Sequence, residues 1–307
     1  MHLVRMLFLA ASLTVACDDP RTGITLPGAK FHPEGVAVAP DGTFYIGSIR
    51  DGSIARARPN AAVAETFVPG RENFYVIGVA VDARHDTLWA CVDDDNLLPK
   101  QVAYLHGYNL RTGALTGQYE LPGIDGFCND LIVDDRGNVY ATDAAANTIV
   151  RLPRGGTKLE TWSSDPLFQP GPGPITVNGI VFDRRRRQLL VVKSDSGDLL
   201  SVPIWRDGSA GLAKVIPVDP PLDFPDGIEI VDDETLLVEE HRAGNVVLVK
   251  LDGGRGTKRV IASGLAQPTT AALYRGSAWV AISQLAAADG QGTPTLPFRV
   301  ERIAIPE

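Results

Sequence analysis

The sequence predicts an all-β fold, a six-bladed β-propeller, and three observations carry that expectation. The first is local. Phe127–Leu152, FCNDLIVDDRGNVYATDAAANTIVRL, reads as strand, turn, strand, turn, strand, each run too short for a helix and bounded by Gly, Asp or Asn. The second is repetition. His32–Pro59, Ile77–Val92, Thr176–Pro203, Pro225–Leu251 and Pro268–Ser283 lie on the same pattern. Their first strands open at Gly35, Gly78, Asp130, Gly179, Gly227 and Thr270, spaced by roughly 43 to 52 residues, the length of one blade. The third is physical: one such sheet cannot bury both of its faces alone, and a closed ring of six can.

Composition agrees. Closed all-β architectures of about 300 residues are commonly single units, so 21–307 reads as one domain. The 31 Gly and 22 Pro fall between short strands, and 44% hydrophobic residues suffice to fill the junctions between blades. A net charge of −8 offers no basic face for a phosphate backbone, which excludes nucleic acid as an expected partner. The run Arg184–Arg187 falls in a turn between strands, where solvation accounts for it.

From the start of the chain, Met1–Cys17, MHLVRMLFLAASLTVAC, has an early Arg and then an apolar run ending in small residues. It is too short to span a bilayer and reads as a signal peptide, so residues 1–20 are set apart from the fold. Val15-Ala16-Cys17 also resembles a bacterial lipoprotein cleavage site, although Thr14 stands where such sites usually carry Leu. The expectation is an exported protein, periplasmic, secreted or lipid-anchored at Cys17, with that anchor its one contact with a membrane.

Gly23–Gly28, GITLPG, matches the words that end a fourth strand elsewhere, ETFVPG at Glu65–Gly70 and QYELPG at Gln118–Gly123. The last repeat has no such word after Phe298–Ile305, so the N-terminal segment is expected to supply its outer strand and remove an open edge. Three long excursions, Asn96–Gly107, Ser163–Pro174 and Ala286–Pro297, are expected on the surface, as a rim or lid over the pore.

The residues just before each first strand should converge near the axis at one mouth. They are Glu34, Ile77, Asn129, Asn178, Asp226 and Thr269. Asn, Asp and Glu before Gly are common turn formers, but four hold one repeat phase, and no Gly follows Asn129. Glu34, Asn129, Asn178 and Asp226 form an all-oxygen set suited to a hard divalent cation. Ca²⁺ comes first, with Mg²⁺, Mn²⁺ or Zn²⁺ behind it; the lack of His or Cys argues against a structural zinc.

A second ring follows, because the antiparallel second strand returns to the same mouth. It holds Arg50, Asp143, Lys193 and His241. Arg50, Lys193 and Asp143 are candidate substrate contacts, with solvated rim as the other reading for Arg50 and Lys193. His241 is the one His this phase brings to the mouth, as proton carrier or as an ordinary rim residue. His32 is expected nearby, His85 in a turn, and His106 in a strand or loop of blade two. Cys91 and Cys128 remain as a pair beside Asn129, where a disulfide would brace the loop and free buried thiols are the alternative.

The words PEG at Glu34, ND at Asn129, NG at Asn178 and PDG at Asp226 resemble the SMP-30/gluconolactonase/LRE-like family, with paraoxonase-type lactonases as more distant kin. The resemblance extends over about residues 22–305. It implies Glu34, Asn178 and Asp226 as metal ligands and Asn129 as a substrate-contacting or additional metal-binding residue. It also implies a metal-dependent hydrolase that opens a lactone or related ester. Asp226 is then the general base, with His241 or Asp143 behind it. No Gly-x-Ser-x-Gly elbow and no glycine-rich phosphate loop is present. A non-catalytic propeller that binds a protein or small ligand, with a structural ion, is the other reading.

Overall fold

Each repeat folds into an antiparallel sheet whose first strand lines a central tunnel and whose later strands step outward. The computed structural model describes residues 19–95, 102–123, 125–171 and 176–306. Blade one is Pro33–Val38, Phe44–Ser48, Ile54–Ala57 and Glu65–Val68. Blade two is Phe74–Asp82, Thr87–Asp94, Val102–Asn109 and Leu115–Glu120; blade three is Cys128–Val133, Val139–Asp143, Thr148–Leu152 and Glu160–Ser163. Blade four is Val177–Asp183, Gln188–Lys193, Leu199–Pro203 and Lys214–Ile216. Blade five, Pro225–Ile230, Thr235–Glu240, Asn245–Asp252 and Arg255–Ala262, takes a parallel fifth strand, Val218–Asp219, on its outer edge.

Burial explains the strand sequences. The inner strands are covered on both faces and read as continuous apolar runs, as in Gln188–Lys193, whereas Leu115–Glu120 on an outer edge is largely exposed. Six apolar clusters fill the six junctions, one between each pair of neighbouring blades.

Blade six consists of Pro268–Tyr274, Ser277–Ile282 and Arg299–Ala304, and its fourth strand is Gly23–Thr25, as expected. Gly23, Ile24 and Thr25 pair antiparallel with Glu301, Val300 and Arg299. Ile24 and Leu26 are buried in the junction of blades six and one. Arg21 adds a second fastening: its guanidinium lies over the rings of Phe44 in blade one and Trp279 in blade six and pairs with Asp19 at 2.6 Å.

The three excursions all leave the mouth where the first strands begin, and each holds more regular structure than expected. Val102–Asn109 of the first is the third strand of blade two, its alternation hidden in the sequence by Tyr104, His106 and Tyr108. The second contains a 3₁₀ turn, Pro166–Phe168, capped by Asp165 and anchored by the buried Phe168. The third opens with the short helix Leu285–Ala288. The signal-peptide and lipid-anchor expectations at Met1–Cys17 and parts of the first two excursions lie outside the described residues. No helix among the described residues is long and apolar enough to cross a membrane.

Candidate functional site at the tunnel mouth

All six innermost strands break register at their heads, between Pro33 and Val36, Val76 and Val79, Cys128 and Leu131, Val177 and Ile180, Pro225 and Ile228, and Pro268 and Ala271. The two residues inside each break are those of the expected ring, so Glu34, Asn129, Asn178 and Asp226 sit on β-bulges, which re-aim side chains. Glycine follows most of them because consecutive heads press together. A Cβ on Gly35 would lie 2.3 Å from the Ile77 carbonyl, and one on Gly179 2.4 Å from that of Asp226.

At three junctions a hydroxyl group ties one blade to the head of the next. Thr142 Oγ1 donates to the Asn178 carbonyl at 2.8 Å, Ser194 Oγ to the Pro225 carbonyl at 2.7 Å, and Thr269 Oγ1 to the Glu34 carbonyl at 2.8 Å. Because Ser194 spends its proton on Pro225, it must accept from Asn178 Nδ2, 2.9 Å away. That fixes the amide and leaves Asn178 Oδ1 as the atom not engaged with Ser194. Cys91 and Cys128 form a disulfide joining blades two and three directly beside Asn129, with Cα atoms 5.1 Å apart.

The four ring residues are each at most 6% exposed. Glu34 Oε2 is buried with no hydrogen-bond partner among the described residues. Burial first, and then the carboxylates of Asp226 and Asp130, hold the Glu34 carboxyl well above the usual carboxylate range. Two acids share a dry mouth with no Lys or Arg bonded to either, an arrangement that calls for a proton or a cation. Among the described residues no group of three or more His, Cys, Asp and Glu side chains is arranged to hold a metal ion. An ion here would therefore need the asparagine oxygens as well as the two carboxylates.

The second ring divides. His241 stands against the site, its Nδ1 3.2 Å from Asp226 Oδ2 but out of line for a hydrogen bond. Gln267 fixes its other face. Gln267 Oε1 accepts the Ala286 N–H at 2.6 Å, so the group 3.1 Å from His241 Nε2 is the amide nitrogen, a donor. Nε2 is then an acceptor and Nδ1 carries the proton towards Asp226.

The other three are committed to structure. Lys193 is neither solvated nor at the rim: it is buried, donates to the Gln169 carbonyl at 2.8 Å and lies 3.6 Å from Asp195. Asp143 Oδ1 caps a loop, accepting from the backbone of Phe127, Ala145 and Ala146, and burial raises its pKa. Arg50 pairs with Asp289, pinning the blade-six excursion to blade one. His32 Nδ1 contacts the Ser283 carbonyl at 2.9 Å, at the junction of blades six and one. His85 sits in its turn on Asp82.

Sequence reasoning missed three carboxylates below the mouth. Asp130 and Glu229 line a tunnel cavity of about 290 Å³. They touch its narrow void yet are walled in by the ring, and burial raises Asp130 to about 7 and Glu229 to about 8. Glu239 is fully buried, with both oxygens unpartnered and its pKa raised well above normal by burial, then by Glu229 and Asp226. Its place in the other blades belongs to Gly47, Cys91, Thr142, Val192 and Ala281, so an acid in that slot was the available signal. Asp130 replaces the usual Gly and bridges blades: its Oδ2 accepts the Ile180 N–H at 3.1 Å. Thr270, in the same slot, accepts that of Val36 at 3.1 Å.

No protein-family model matches this chain, and no curated protein matches it. Solved structures do match. The Malassezia sympodialis allergen Mala s 1 superposes with a TM-score of 0.70 at 14% identity, over 92% of this chain and 96% of the allergen. The aldose sugar dehydrogenase of Streptomyces coelicolor, solved with PQQ bound, gives 0.64 at 16% identity, over 94% and 97%. Virginiamycin B lyase from Staphylococcus aureus gives 0.61 at 12%, over 92% and 98%. Identities this low show a shared six-bladed propeller, a fold that carries sugar-dehydrogenase and lyase activities in two of these neighbours. The likeness to SMP-30/gluconolactonase proteins rests on the four blade-start words.

Proposed function

We propose that this protein is a divalent-metal-dependent hydrolase that opens a lactone or related ester at the tunnel mouth. The observation that carries the reading is the pairing of Glu34 and Asp226 in one dry site, with Glu34 Oε2 unpartnered and its carboxyl strongly perturbed. The donor set fits a hard cation, Ca²⁺ before Mg²⁺, Mn²⁺ or Zn²⁺: carboxylates from Glu34 and Asp226, and amide oxygens from Asn178 and Asn129. A divalent ion bound there supplies Lewis-acid chemistry, polarising an ester carbonyl and acidifying water.

The chain supplies the proton handling. Asp226 would take the proton of the attacking water at a carboxylate oxygen and return it to the ring oxygen as the acyl C–O bond breaks, and the adjacent His241 Nδ1–H stabilises the Asp226 charge between turnovers. Asn129 positions substrate beside the ion. Low exposure of all four ring residues keeps bulk water from competing with these contacts.

A second reading is a binding propeller with a structural ion. It is favoured by the engagement of Arg50, Lys193 and Asp143 in the protein's own bonds, which leaves fewer groups for a substrate. One experiment separates the two. Metal analysis of the purified protein is followed by assay of aldono-, γ- and acyl-homoserine lactones with and without EDTA. Turnover that EDTA abolishes, and that Asp226→Ala lowers by about 10²-fold or more, is the expected result. Retained metal with no turnover on any lactone supports the binding propeller and overturns the hydrolase.

A further inference from the structure

The junction between blades one and two differs from the others. Along the third strand of blade two, Tyr104, His106 and Tyr108 share the face turned to blade one. The place of His106 belongs to Ala55, Val150, Leu200 and Val247 in four other blades, and that of Tyr108 to Ala57, Leu152, Val202 and Val249. An apolar slot has become polar and aromatic. It is also not filled: a cavity of about 210 Å³ opens there, lined by these three residues together with Arg71, Asp94 and Gln118, and closed on the blade-one side by Val68 and Pro69.

His106 is 5% exposed, and only one of its nitrogens is satisfied. Nδ1 meets the Tyr108 hydroxyl at 2.9 Å; Nε2, at the far end of the ring, has no hydrogen-bond partner among the described residues. A buried polar atom without a partner is costly, about 1–3 kcal/mol, and points to a group that completes it. Burial lowers the His106 pKa to about 4 and raises that of Tyr108 to about 12, so both are neutral at pH 7. Arg71 and Asp94 contribute one charge of each sign, and the walls carry no net charge. The rings are mutually tilted, 39° between Tyr104 and His106 and 70° between His106 and Tyr108, so they form no parallel slot for a flat base.

We propose that this cleft binds a small uncharged hydroxylated ring, the size of a single hexopyranose. A cavity of about 150 Å³ suffices for benzene, so 210 Å³ accommodates one six-membered ring with its substituents. Donors and acceptors are spread around its walls at Arg71, Asp94, Gln118 and His106, as a ring bearing hydroxyls on all sides requires, while the aromatic side chains meet its C–H faces. The site is independent of the mouth reading, since neither Glu34 nor Asp226 lines it.

The test follows the His106 ring resonances of the full chain by NMR during addition of D-glucose, D-galactose, D-mannose or D-xylose. The nucleobases adenine and uracil serve as comparison probes. A saturable shift with at least one sugar below about 50 mM is expected, and Gln118→Ala should weaken it about tenfold. His106→Leu, which installs the residue blade four uses in this slot, should abolish sugar-induced shifts of neighbouring Tyr104 while the protein still melts cooperatively. If His106→Leu fails to fold, Gln118→Ala decides alone. No saturable shift with any of the four sugars, shifts unchanged in Gln118→Ala, or response to the nucleobases alone overturns the proposal.

Discussion

The mouth and the interior of the tunnel are built from the same six strands, yet they handle buried charge in opposite ways. At the mouth, Glu34 and Asp226 stand among amide and hydroxyl groups on bulges, with His241 and Gln267 behind them. Deeper in, Asp130 and Glu229 face a void walled by Val, Ile and Leu, and Glu239 has no partner at all. On the proposed reading, the first arrangement would exchange a proton for a cation. In the second, Glu229 and Glu239 stay protonated near neutral pH, while Asp130, at about 7 and bonded to the Leu131 and Ile180 N–H groups, stands near its midpoint. Perturbed carboxylates alone do not mark the reacting centre; convergent donors do.

Both regions presuppose a closed ring, and opening it is the largest change available. Deleting Thr22–Gly28 removes the fourth strand of blade six and the buried side chains of Ile24 and Leu26. Those two side chains alone are worth about 1.5–3 kcal/mol each. The truncated protein should lose most of its cooperative melt in calorimetry, and mouth and tunnel should fail together. An unchanged melting temperature would mean that the closing strand is dispensable.

The closing strand was legible in advance because GITLPG repeats the words that end other blades, and the mouth ring because its members share one repeat phase. Repeat phase fails where a blade departs from its neighbours. Glu239 hid inside Thr235–Glu240, a strand otherwise ordinary, and Glu229 within the alternation of Pro225–Ile230. Lys193 and Asp143 had the correct phase, but the partners that bury them, Gln169 and the backbone at Phe127, come from connecting segments without periodicity. Register of a strand can be read from a repeat; the loop folded over its end cannot.

A smaller effect sharpens the contrast. Glu239→Val places in blade five the residue that blade four already uses, Val192, and removes two unpartnered oxygens. It should stabilise the protein by about 1–3 kcal/mol in urea unfolding at pH 8, with lactone turnover and bound metal unchanged. If turnover falls with it, the interior belongs to the site and the division drawn above is wrong.

The smallest effect is on pH dependence. Glu229 titrates at about 8 when folded, above the ordinary 4.5. Between those values the folded chain keeps a proton that the unfolded chain has released, so stability falls as pH rises. His106 acts in the opposite sense, its stability contribution growing from about pH 4 to 6.5, so the decline stands clear above 6.5. Glu229 should contribute a loss of about 1 kcal/mol per pH unit between 6.5 and 8 in urea unfolding in EDTA, added to losses of the same sign from Glu34, Glu239 and Asp130, and Glu229→Gln should remove its share. A flat profile in the parent protein would place the ionisation of Glu229 elsewhere.

The strand that shuts the ring also sets how the disc can be held. Gly23–Thr25 runs towards the mouth along the outermost edge of blade six, so the chain reaches it from the opposite side, past Asp19 and Arg302. Asp19, the first described residue, therefore lies at the periphery of the face opposite Glu34 and Asp226. An artificial tether coupled at Asp19 should leave the opening that holds Glu34 and Asp226 facing away from its support.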